Sequence, residues 1–175
     1  WQEFSGVEPN PTKETLDKAV EIVKQDDIEF VLGVGGGSVI DGVKYIAAAA
    51  KYDGDGWDIL EGKHQVKEAV ALGAVLTLPA TGSESNPAAV ITKSETQDKL
   101  SFYHPAVQPK FAILDPDVMK TLPERQLING IVDAWIHVCE QYLTKPNGAM
   151  VQDAYAESLL RTLKDLGERF EQRDS

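Results

Sequence analysis

An apolar run, Phe30-Val31-Leu32-Gly33-Val34, leads directly into Gly35-Gly36-Gly37-Ser38, and a helical pattern then opens with Val39-Ile40-Asp41 and closes on four alanines. Strand, glycine turn and helix in that order make a βα step and a natural cradle for phosphate. The turn exposes backbone N–H groups that no helix carbonyl can satisfy, and the helix dipole adds roughly half a positive charge at the same place. Glycines suit it because a Cβ would block close approach of a pyrophosphate and because such turns can require positive φ. The match to G-x-G-x-x-G is partial, since Ile40 stands where the third glycine belongs. The same residues also fit a tight strand-to-helix turn with no ligand.

The rest of the chain extends the pattern. Asn10-Pro11 offers a cap and a first-turn proline, and Leu16, Ala19, Val20 and Val23 recur at helical spacing, so a helix is expected over about residues 11–25. Ile40, Val43, Ala47 and Ala50 mark one face of the helix after the glycine turn. Residues 51–67 read as a loop anchored by Trp57, Ile59 and Leu60. Ala74-Val75-Leu76-Thr77-Leu78 has the texture of a strand covered on both faces, and a polar loop follows over residues 79–87. Val90-Ile91-Thr92 and Phe111-Ala112-Ile113-Leu114 are further strand candidates, separated by a charged turn around Asp98-Lys99. Buried strands alternating with helices imply an α/β fold with a mostly parallel sheet. At Asp115-Pro116 the strand pattern stops. A helix is expected from Glu124 to about Leu143, then a break at Lys145-Pro146-Asn147-Gly148, then a helix carrying Leu159, Leu160, Leu163 and Leu166. The expected domains are residues 1–117, α/β, and 118–175, all-helical.

Charge narrows the possible partners. The net charge of −11 disfavours nucleic acid and anionic lipid surfaces. No apolar run approaches the roughly 20 residues of a membrane span, and the single Cys139 excludes an internal disulfide and suits a reducing cytoplasm. Within Val132-Asp133-Ala134-Trp135-Ile136-His137, the carboxylate and imidazole lie four apart and project from one helix face, where they could share a cation. Apolar neighbours would make an unpaired Asp133 costly. An Asp/His hydrogen bond accounts for the same spacing, and a metal needs about four ligands. His64, in a polar stretch, is expected to face water, and His104, before Pro105, fits a surface histidine better than a ligand. The hydroxyl-rich loop Ala80-Thr81-Gly82-Ser83-Glu84-Ser85-Asn86 follows a strand, which is where open α/β sheets bind ligands.

Taken together, Gly35-Gly36-Gly37-Ser38-Val39-Ile40-Asp41, Leu78-Pro79-Ala80-Thr81-Gly82-Ser83-Glu84, Leu114-Asp115-Pro116 and Gly130-Ile131-Val132-Asp133-Ala134-Trp135-Ile136-His137 closely resemble the iron-containing, group III alcohol dehydrogenases. Within that family the chain is similar to the butanol dehydrogenase branch. The resemblance implies an α/β dinucleotide-binding domain followed by a helical domain that holds a divalent metal, iron or zinc. It also implies a homodimer when full length and hydride transfer between NAD or NADP and a small primary alcohol or aldehyde. By resemblance, Gly36, Gly37, Ser38 and Asp41 contact the cofactor pyrophosphate, while Thr77, Thr81 and Ser83 line its nicotinamide half. Lys99 reaches the ribose, and Asp133 and His137 are the first two metal ligands. Leu78, Pro79 and Ala80 depart from the threonine, alanine and glycine frequent in the family's loop.

Members of the family carry a further strand-rich segment before the part that matches here and two more histidine ligands after it. The 175 residues are therefore expected to be an internal piece of a longer enzyme, inactive alone. The alternatives are a non-catalytic nucleotide-binding fragment and a lyase resembling dehydroquinate synthase.

Overall fold

The computed structural model describes residues 1–145 and 148–172. Pro146-Asn147, the middle of the expected helix break, lies outside the described residues. Two compact units are formed, Trp1–Lys120 and Thr121–Ser175.

The first unit opens with α1 (Lys13–Gln25), whose cap is Thr12 rather than Asn10. The Thr12 hydroxyl accepts the Thr15 N–H at 3.4 Å, with Glu14 in the first turn and Lys24 in the last, as the helix dipole favours. Leu16, Ala19, Val20 and Val23 are its buried stripe. Strands β1 (Phe30–Gly36), β2 (Ala71–Leu78) and β5 (Ala112–Ile113) form a parallel sheet in the order β1-β2-β5. Between β1 and β2 run α2 (Gly37–Ala49) and the single turn α3 (Trp57–Leu60), whose three apolar residues are all buried. The parallel α/β expectation holds for this sheet.

The next two strands do not join it. β3 (Ala88–Lys93) and β4 (Asp98–Tyr103) pair antiparallel as a separate ribbon, with Val90 opposite Ser101 and Thr92 opposite Lys99. Asp98-Lys99, expected as a turn, begins β4 instead. The reversal falls at residues 94–97, where Gln97 adopts φ 59°. Local charge hid the strand, because one face of a solvent-edged ribbon is free to be polar. Ala89, Ile91 and Phe102 from the ribbon join Leu16, Tyr45, Trp57 and Leu72 in the main core. Each fully buried aliphatic there contributes roughly 1.5–3 kcal/mol.

Side-chain alternation along β1 determines which face of the sheet is covered. A Cβ on Gly33 would lie 3.1 Å from Val43, and one on Gly35 would lie 2.5 Å from Val39, so the glycine face receives α2 at close range. Phe30, Leu32 and Val34 point the other way and are exposed. Phe111, lying over Gly73, stacks on Phe30 with ring centroids 5.9 Å apart. The second face is therefore open to solvent along β1, whereas on β2, the strand expected to be covered on both faces, Gly73 is buried beneath Phe111 and no residue is fully exposed.

The second unit consists of α5 (Glu124–Tyr142) and α6 (Met150–Gln172), packed against each other and preceded in the chain by the short α4 (Pro116–Met119) of the first unit. The Asp115 carboxylate caps α4 by accepting the Asp117 N–H at 2.9 Å, with Pro116 at the first helical position. Neither α5 nor α6 contains a fully buried residue. No described helix is long and apolar enough to cross a membrane.

Candidate functional site

At the junction of β1 and α2 the chain passes from strand to helix without a left-handed residue. Gly36 is extended, with φ −84° and ψ −170°, and Gly35 and Gly37 are absent from the positive-φ glycines. The expectation of positive φ is thus not met. Steric room explains the glycines instead: a Cβ on Gly37 would overlap the Thr81 side chain, and one on Gly35 would overlap Val39. No side chain caps α2, so its first N–H groups retain their capacity for an anion.

Four of the candidate residues gather around this helix end. Thr81 lies against Gly37. The Ser38 hydroxyl accepts the Asn10 N–H at 3.3 Å, and Lys99 Nζ donates to Asn10 Oδ1 at 2.8 Å. Asn10, held at φ 58°, thereby links Ser38 on α2 to Lys99 on β4. Sequence reasoning treated Asn10 only as a helix cap. Thr77 is the unpaired residue of a β-bulge, because Gly35 pairs with Leu76 while Gly36 pairs with Leu78. Such bulges re-aim side chains at strand ends, here just before the 79–87 loop.

Asp41 and Ser83 are committed to the protein itself. Ser83 Oγ donates to Asp41 Oδ1 at 2.5 Å, and the other carboxylate oxygen of Asp41 accepts the Val90 N–H at 3.0 Å. Ser83 is buried, so the hydroxyl expected to line a ligand site faces α2. Its second partner is Lys44, which is wholly buried and donates to Ser83 Oγ at 2.7 Å. Burial pushes the Lys44 ammonium down to about 8, against the opposing pull of the Asp41 and Glu84 carboxylates. Lys44 was missed from sequence. A lysine three residues beyond Asp41, amid apolar helix residues, was its only signal.

In the second unit Asp133 and His137 share one face of α5, with Oδ1 and Nε2 3.6 Å apart. Both side chains are well exposed, at 60% and 67%, so the desolvation cost expected of Asp133 does not arise within this unit. A carboxylate oxygen and an imidazole nitrogen are donors that suit iron or zinc. Two donors fall short of the about four a metal needs, and no cluster of three or more His, Cys, Asp or Glu residues able to hold a metal occurs among the described residues. The other histidines act locally: His64 stacks on Tyr52 with centroids 3.7 Å apart, and His104 Nδ1 accepts the Ala106 N–H at 3.2 Å.

The model of the iron-containing alcohol dehydrogenases matches residues 1–116. The NADPH-dependent aldehyde reductase YqhD of Escherichia coli is 54% identical over 168 residues, which are 94% of this chain and 43% of that protein. A probable NADH-dependent butanol dehydrogenase 1 of Bacillus subtilis is 53% identical over 161 residues, 92% of this chain and 42% of that one. The crystal structure of E. coli YqhD matches with a TM-score of 0.89 at 51% identity, covering 98% of this chain and 45% of that one. The NADH-dependent butanol dehydrogenase A of Thermotoga maritima matches at 0.87 and 44% identity, over 97% and 42%. The chain spans less than half the length of these relatives, and it belongs to the iron-containing alcohol dehydrogenase family.

Proposed function

We propose that the chain is the cofactor-binding and first metal-binding portion of an NAD(P)-dependent enzyme that interconverts small primary alcohols and aldehydes. The observation that carries this is the uncapped N-terminus of α2, where Thr81 packs against Gly37 and the Ser38–Asn10–Lys99 link stands next to it. A dinucleotide pyrophosphate satisfies the free N–H groups there. Gly36, Gly37 and Ser38 hold it, while Asp41 ties Ser83 and Val90 to the same helix. Thr77 and Thr81 border the nicotinamide half while Ser83 anchors their loop, and Lys99 serves the ribose.

Asp133 and His137 fit as two ligands of a divalent metal in the whole protein. When bound, such a metal supplies Lewis-acid polarisation of the substrate oxygen. The whole protein is proposed to be a cytoplasmic homodimer, a location that the single free Cys139 fits. Residue identity does not choose between cofactors, since relatives named for NADPH and for NADH are 54% and 53% identical to the chain.

Titration of the 175-residue chain with NADPH and with NADH, read by nicotinamide fluorescence, tests the reading. Saturable binding of at least one, displaced by ADP-ribose, is expected. Absence of binding of either overturns it.

A further inference from the structure

A lysine with no exposed surface is an expensive way to fill a helix face. Apolar residues of similar volume usually serve stability as well or better. Lys44 nevertheless sits at 0% exposure on α2, beside Tyr45, itself 0% exposed. Its ammonium has three hydrogens, and each finds an acceptor: Ser83 Oγ at 2.7 Å, the Ala88 carbonyl at 2.7 Å and Asn86 Oδ1 at 3.2 Å. All three acceptors belong to residues 83–88, some forty positions along the chain.

The segment so held has its own internal order. Asn86 donates from Nδ2 to the Gly82 carbonyl at 2.9 Å and accepts the Ala88 N–H at 2.9 Å. Ser83, having accepted from Lys44, gives its only hydroxyl hydrogen to Asp41. Asp41 also takes the Val90 N–H. Asp41 and Lys44, about one helical turn apart, therefore grip one loop as anion and cation. Two residues before Ser83 stands Thr81, whose side chain closes on Gly37 at the first turn of the same helix.

We propose that Lys44 is a positioning residue that pins residues 82–88 to α2 and so holds Thr81 in place beside the helix N-terminus before any ligand arrives. The proposal rests on the nucleotide reading of that terminus. Lys44 acts through Ser83, Asn86 and Ala88 and has no contact with the cofactor. Its effect is preorganisation: a loop already fixed loses less freedom when a dinucleotide binds. Two carboxylates face the ammonium, Asp41 on its own helix and Glu84 on the loop. One Glu84 oxygen is buried with no hydrogen-bond partner among the described residues, so its charge is left to favour the cation. Burial holds the Lys44 ammonium down to about 8, and opening the loop would restore its affinity for the proton, so the closed loop is expected to gain as pH rises past that value.

The test is amide hydrogen exchange, corrected for intrinsic rates, on the wild-type chain and Lys44→Met, with an NADPH titration of each. In Lys44→Met, exchange over residues 82–90 is expected to rise about tenfold or more while β1 and β2 keep their protection, as for a local opening. NADPH affinity is expected to fall about tenfold in parallel. Unchanged protection of 82–90, or a loosened loop with unchanged NADPH affinity, overturns the proposal. Should Lys44→Met fail to fold, the wild-type chain decides alone: intrinsic-rate-corrected protection of 82–90 must rise between about pH 7 and about pH 9.5, because opening the loop hydrates Lys44 and lets it bind a proton it holds poorly when buried, and pH-independent protection overturns the pin. If the wild-type chain binds no NADPH, the nucleotide reading fails while the exchange data still decide the grip.

Discussion

Gly37 and Lys44 sit seven residues apart on one helix and fail in different ways when changed. At Gly37 the constraint is space. A methyl group there collides with Thr81, so Gly37→Ala is expected to cost about 1–3 kcal/mol in urea unfolding, as overpacking does. Thr81→Ala in the same chain should recover part of that loss, and additive effects would show that the two do not touch. At Lys44 the variable is charge. Its folded-state value near 8 lies below the ordinary 10.5, so between those values the unfolded chain binds more protons than the folded one. Stability from this group therefore rises with pH above about 8, by at most ~1.4 kcal/mol per pH unit. Tyr45 works in the opposite direction, because burial and the Asp17 hydrogen bond raise its phenol, and stability from it falls once unfolded tyrosine ionises near 10. Unfolding measured between about pH 8 and 9.5 isolates the lysine. The rise should be present in the wild-type chain and lost in Lys44→Met. Global stability and loop closure thus gain together as Lys44 deprotonates, because any opening that hydrates the lysine, local or global, raises its affinity for the proton.

Among the elements, β1 and the α5–α6 pair expose several large apolar side chains. β1 has a strand neighbour on one side only and shows Phe30, Leu32 and Val34 to solvent, 43%, 48% and 57% exposed. An apolar edge strand of this kind recruits other chains. The 175-residue chain is expected to self-associate, and Leu32→Lys with Val34→Lys should lower its sedimentation-average mass without lowering its melting temperature. An unchanged mass would show that the face is not where chains meet. In α5 and α6 the weak points are two glycines. Around Gly130 a Cβ would meet nothing within 4 Å, and at Gly167 it would meet only Ile131 at 4.0 Å. Alanine at each should raise helix stability by roughly 0.5–1 kcal/mol, visible in far-ultraviolet circular dichroism on heating.

For the whole molecule, the expectation is binding without turnover. Two metal donors on an exposed helix face bind a divalent ion weakly, since tight sites need about four ligands. The purified chain should therefore bind nucleotide, take up zinc only at high concentration, and leave NADPH unchanged in the presence of butyraldehyde. Replacing Asp133 and His137 together by alanine should remove the zinc uptake and leave the nucleotide affinity as it was. A fall in nucleotide affinity would count against dividing the two tasks between the two units.

Local pattern carried the elements whose chemistry is local. The apolar stripe of α1, the strand–glycine–helix order of β1 and α2, and the Asp133/His137 spacing depend only on neighbours within one turn or one strand, so sequence alone determined them. Motif order then placed the chain in its family. β3 was legible as a strand, but β4 and its antiparallel pairing were not, because charge near a turn looks the same whether or not a partner strand lies opposite Asp98 and Lys99. Lys44 escaped for the same reason. Nothing within one turn of it reveals that three acceptors, some forty residues away, will close around its ammonium. The glycines were legible as a cradle, but their cause was not. Only tertiary structure brings Thr81 against Gly37 and Val39 against Gly35, and so replaces backbone strain with close packing as the reason no Cβ is tolerated there.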